Sequence, residues 1–130
     1  MITIRPQTFS MAAPRRILVV GDDRALTERL RAALVADGHL VDVAVSGDDA
    51  LERLRAPGRP PTMIVLDLDL LDLSGWGLID ILRGEGGLAE VPIAALADGH
   101  DRGGLEGVTV FARPLRLEAL LAWCAAHALA

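Results

Sequence analysis

Two short acidic clusters, Gly21-Asp22-Asp23 and Asp67-Leu68-Asp69, each follow directly on an apolar run, and they are the residues of this chain best suited to chemistry. Carboxylates brought close together repel unless protons or a cation intervene. Hard oxygen donors in small number are what Mg²⁺ accepts while it keeps several of its own waters. A carboxylate beside such a cation can also attack phosphorus and form an aspartyl phosphate, because the cation offsets charge on the group in transfer. Asp22 or Asp23 could equally cap a following helix, since Asp accepts bonds from the free N–H groups of a first turn. Asp67 ends an apolar run and begins no obvious helix, so capping accounts for it poorly.

These clusters can meet only if the elements before them lie side by side. From Arg16 onward, short β-branched runs ending in Gly or Asp alternate with longer stretches of helical spacing, which is the βαβ pattern. The runs predict strands over Ile17 to Val20, Leu40 to Val45, Met63 to Leu66, Ile93 to Leu96 and Val108 to Phe111, apolar enough to be buried on both faces. The first helix carries Leu26, Leu30, Ala33 and Leu34 on one stripe and stops at Asp37-Gly38, where Gly suits a left-handed cap. Ser46 with Asp49 opens the second as a capping-box-like pair. A third follows Ser74 with Leu78, Ile81 and Leu82, and the last aligns Leu117, Leu120, Leu121 and Cys124.

The crossover at residues 97 to 107 is the odd one. It is close to the floor of about 10–12 residues for a whole βαβ connection. It also holds Gly99, Gly103, Gly104 and Gly107, and each Gly in a helix costs roughly 0.8–1 kcal/mol relative to Ala. The expected fold is therefore α/β: a flavodoxin-like, doubly wound, five-stranded parallel sheet of order 2-1-3-4-5, with a shortened or missing fourth helix in that crossover. In this order the winding reverses between strands one and three, and ligands collect outside the carboxyl ends of the strands there. All four carboxylates would then converge at one edge.

Composition narrows the partners. The chain has 130 residues, near the commonest size of one domain. Residues 1 to 14, with Pro6 and Pro14 and no sustained periodicity, read as a flexible N-terminal extension, with Met1 or Met11 as the native start, and residues 15 to 130 read as the domain. A net charge of −5 without a basic cluster argues against direct nucleic-acid binding. No apolar run approaches a membrane span and no signal peptide is visible, so a cytoplasmic location is expected. All 13 basic residues are Arg, so no single Arg is strong evidence of selection for its chemistry. The single Cys124 reads as a small core residue. His39, His100 and His127 show no metal-ligand spacing. Trp76 and Trp123 fall off their helices' apolar stripes and are candidates for an interface, Trp123 for partner contact through the last helix.

The residues together resemble a known family. RRILVVGDDRALTERLRAALVADGHLVDVAVSGDDALERL, MIVLDLDLLDLSGWGLIDILR, VPIAAL and VFARPL are similar, over residues 15 to 129, to the response-regulator receiver domain of two-component signalling. The resemblance implies that Asp67 is the phospho-acceptor and Asp22 the acid that contacts Mg²⁺ directly. It implies that Asp69 lends a backbone carbonyl to the metal, and that Arg113, before Pro114, pairs with the acceptor and its phosphoryl group. Three departures stand out. Gly21 replaces the family's first acid, leaving Asp23 as a further candidate ligand; Ala97 replaces a hydroxyl residue; and Arg113 replaces a Lys, whose compact charge it does not reproduce.

The implied function is a stand-alone phosphorelay receiver, taking a phosphoryl group from a histidine kinase or phosphotransfer protein and signalling by contact with a downstream protein, with weak switching and a homodimer left open. The alternative is a pseudo-receiver that binds partners without phosphorylation. An enzymatic role beyond self-phosphorylation and dephosphorylation is not expected. Asp67-Leu68-Asp69 is also similar to the DxD pair of haloacid-dehalogenase-like phosphatases, but there the motif normally ends the first strand of a larger domain. A flavin site is disfavoured by the anionic Gly21-Asp22-Asp23 turn.

Overall fold

A computed structural model describes residues 15–58, 60–69, 75–84, 90–97, 107–112 and 115–127. Five strands, β1 (Arg16–Val20), β2 (Leu40–Ala44), β3 (Met63–Asp67), β4 (Ile93–Ala97) and β5 (Val108–Ala112), form one sheet in the order β2-β1-β3-β4-β5. Every pairing is parallel, with Ile17 opposite Met63, Ile64 opposite Ile93 and Ile93 opposite Val108. The described helices are α1 (Arg24–Ala36), α2 (Gly47–Arg55), α3 (Gly75–Arg83) and α4 (Leu117–His127). The expected sheet and winding are therefore present. Residues 98–106, on which the shortened or missing crossover helix was expected, lie outside the described residues.

The sheet is covered on both sides, and alternate strand residues serve opposite cores. Leu18, Val20, Ile64, Leu66, Ile93 and Ala95 face Ala50 of α2 and Leu78, Ile79 and Leu82 of α3. Ile17, Val19, Met63, Val65, Ala94 and Leu96 face Leu30 and Leu34 of α1 and Leu120, Trp123 and Cys124 of α4. Burial on both faces explains why β1, β3 and β4 read as unbroken apolar runs. The outer strands β2 and β5 are less covered, and Leu40 on β2 is exposed.

The helix ends follow from local chemistry. Ser46 Oγ accepts from Asp49 N–H at 3.0 Å and Asp49 Oδ2 accepts from Val45 N–H at 3.0 Å, so the pair caps α2 in both directions. At the end of α1, Gly38 takes a φ of +96°, its N–H donates to the Val35 carbonyl and the His39 N–H to the Leu34 carbonyl. That pair of bonds closes the helix around a left-handed residue, which Gly adopts without a Cβ penalty.

One expectation is overturned. Trp123 is not at a surface: it is 9% exposed and packs edge-on against Phe111, ring centroids 6.4 Å apart, with the His127 ring 4.4 Å away. The buried face of α4 is centred on Leu120, Trp123 and Cys124, rotated from the stripe through Leu121, because the large indole reaches across to the edge strand β5. The Trp76 side chain lies outside the described residues.

Candidate functional site

The sheet order brings the carboxyl ends of β1 and β3 together, and with them Gly21 and Asp67. Asp67 is the last residue of β3 and is 5% exposed, one of few buried charged or polar side chains among the described residues. β3 is the middle strand of the sheet, which is why a residue at its end is enclosed on both sides. One carboxylate oxygen, Oδ1, accepts from the Asp69 N–H at 2.9 Å, so the chain turns back immediately after the strand and the side chain is held by its own loop.

Gly21 is buried directly beside it. A Cβ at this position would stand 3.5 Å from Asp67 Cβ, 4.0 Å from Asp67 Oδ2 and 3.1 Å from the methyl of Thr27. The Gly21 N–H donates to the Ala44 carbonyl at 3.0 Å, continuing the β1–β2 ladder. Asp22 is exposed at the next position and lines, with Gly21, Arg24, Thr27, Glu28, Val43 and Val45, a cleft of about 390 Å³ at the carboxyl ends of β1 and β2. A smaller cavity of about 150 Å³ lies elsewhere, among Arg16, Asp42, Arg53, Pro57 and Pro61, and includes none of the candidate residues.

Asp23 is the N-cap of α1: its Oδ1 accepts from the Leu26 N–H at 3.2 Å. Of the two readings open for this residue, the cap is the one its geometry displays. Asp69 is exposed. Ala97 ends β4, 7% exposed, two strands from β1 and next to β3, where the Leu68 N–H donates to the Leu96 carbonyl at 3.0 Å. Arg113 lies outside the described residues.

The donor set sets a limit on a cation here. Among the described residues no three His, Cys, Asp or Glu side chains converge as metal ligands. A cation here would rest on at most two such side chains, and Mg²⁺ accepts one or two protein carboxylates when water fills the other positions. The residues therefore fit Mg²⁺ as a sparse, hydrated site.

Thr27 is the site residue that the sequence reading passed over. It is 5% exposed, on the same α1 face as Leu30 and Leu34, with its Oγ1 donating to the Arg24 carbonyl at 3.2 Å. The available signal was a hydroxyl residue spaced three and seven before two core leucines.

No family model matches the chain. Its sequence is 42% identical over 83 residues to the response regulator MprA of Mycolicibacterium vanbaalenii, covering 64% of this chain and 34% of that protein. The chain thus spans about a third of the length of the curated relatives it matches. In structure it is similar to a response regulator from Chloroflexus aurantiacus, with a TM-score of 0.79, 25% identity and coverage of 88% of this chain and 98% of that one. It shares the fold of the receiver domain of a sensor histidine kinase from Pseudomonas aeruginosa, solved with a magnesium ion in its active-site cleft, at a TM-score of 0.74 and 23% identity, covering 85% and 94% of the two chains. Among the described residues no helix is long and apolar enough to cross a membrane.

Proposed function

We propose, from the premise that this chain is a receiver domain of the response-regulator kind, that Asp67 accepts a phosphoryl group from a phosphohistidine on a histidine kinase or phosphotransfer protein in the cytoplasm. The observation that carries the reading is a nearly enclosed carboxylate at the end of the central strand, with a glycine against it at the point where the winding reverses. A carboxylate oxygen of Asp67 attacks phosphorus, the phosphorus–nitrogen bond to the donor imidazole breaks, and the electron pair returns to that nitrogen, which takes up a proton. The product is an acyl phosphate on Asp67. Mg²⁺, when bound, would screen the charge on the group in transfer. Asp22 and Asp67, with the Asp69 carbonyl, are the residues that would hold it, and Arg113 is the cation assigned to the phosphoryl oxygens.

Switching is the weaker half of the function. Ala97 has no hydroxyl to donate to a new phosphoryl group, and a ligand that interacts equally with two conformations shifts neither population. Phosphorylation would therefore outlast its signal.

The packing of the Thr27 methyl against Gly21 favours a second reading, a pseudo-receiver that recruits a downstream protein without modification. Intact mass after incubation with acetyl phosphate and Mg²⁺ separates the two. The acceptor reading requires one added phosphoryl group in wild type that disappears in Asp67→Asn. No addition in wild type hands the function to the pseudo-receiver.

A further inference from the structure

Position 21 is a glycine for a reason of space rather than of backbone conformation. Its φ is not positive, unlike that of Gly38, Gly58 and Gly107, so its backbone angles do not call for glycine. What opposes a side chain is Thr27 Cγ2, 3.1 Å from where a Cβ would stand, closer than side-chain carbons ordinarily approach. The two contacts to Asp67, at 3.5 and 4.0 Å, are by contrast ordinary. Thr27 cannot easily turn aside. A Thr in a helix has two favoured χ1 wells, and the bond from Oγ1 to the Arg24 carbonyl selects the one that holds the methyl over Gly21. Enclosure of the side chain resists any other arrangement.

We infer that Thr27 is a positioning residue of the Asp67 site: its methyl excludes a side chain at position 21 and so confines the site to the carboxylates of Asp22 and Asp67, which keeps its affinity for a divalent cation low. The inference rests on the reading of Asp67 as an acceptor only for its meaning; cation binding is measurable without any phosphoryl transfer. Removing the one methyl, by Thr27→Ser, keeps the hydroxyl and its bond while opening the space for a third carboxylate.

The test compares wild type, Thr27→Ser, Gly21→Asp and the double variant by calorimetric titration with Mg²⁺ and by electron paramagnetic resonance with Mn²⁺. The double variant should bind at least about tenfold tighter than wild type, since affinity follows the number of charged ligands. Gly21→Asp alone should fall well short of it and melt lower. A second cycle adds only the Cβ: Gly21→Ala should lower Tm, and most of that loss should vanish in the Thr27→Ser background. Three results would overturn the inference: Gly21→Asp alone binding as tightly as the double variant, a double variant no tighter than wild type, or Gly21→Ala without a fall in Tm. If both cycles behave as stated while wild-type Asp67 takes no phosphoryl group, the acceptor reading fails and the role of Thr27 stands.

Discussion

Trp123 packs edge-on against Phe111 of the edge strand and beside His127, and its removal would leave a void that α4 and β5 could close only by moving toward each other. Trp123→Ala should cost about 3–5 kcal/mol, measured by urea denaturation, in line with other large-to-small changes in cores. An effect within about 0.5 kcal/mol would return the residue to the surface. Its neighbour Cys124 is fully buried, and burial first, then the negative charge of Asp37, push its thiol up to about 11 from an ordinary 9.0. Below the ordinary value the thiol is protonated folded or unfolded, and stability is undiminished. Between about 9 and 11 the unfolded chain ionises while the folded one does not, so stability should fall across that window, and Cys124→Ala should flatten the fall. Native protein at neutral pH should react with iodoacetamide far more slowly than protein in urea. The places of Asp22 and Asp67 in the fold were legible because they follow strand ends; those of Trp123 and Thr27 were not, because residue size and χ1 decide their placement and a periodic stripe records neither.

At the level of elements, the start of α1 is fixed by a side chain that also lies near the candidate site. Asp23 holds the first turn of α1, next to Asp22 in the cleft. Asp23→Ala should therefore lower stability by about 1 kcal/mol in thermal or urea melts. The Mg²⁺ response of the folded variant should stay as in wild type; its loss would make Asp23 a ligand as well as a cap. The strands, their order and the Ser46–Asp49 cap could be read from the sequence, since apolar runs and cap residues are local signals. The faces of α1, α3 and α4 could be read only to within a rotation. Thr27 joins Leu30 and Leu34, Ile79 joins Leu78 and Leu82, and Trp123 joins Leu120 and Cys124, because tertiary contact and not period alone chooses among neighbouring positions.

For the whole molecule, the division into a covered centre and two partly open edges should govern its motions. Amides of β1, β3 and β4 should exchange slowest with deuterium and those of β2 and β5 faster, since opening an edge exposes little apolar surface. Ala97→Thr supplies a hydroxyl at the end of β4, and a phosphodonor should then produce a larger change in the exchange pattern than in wild type; an equal response would show that switching does not pass through this position. The indole of Trp123 also gives the fold an optical signature. An excited indole is relaxed by surrounding water, so a ring buried against Phe111 and His127 emits toward the blue and moves to the red only when α4 leaves the sheet. With Trp76 replaced by Phe, the colour of the remaining emission becomes a reporter of whether the last helix is seated.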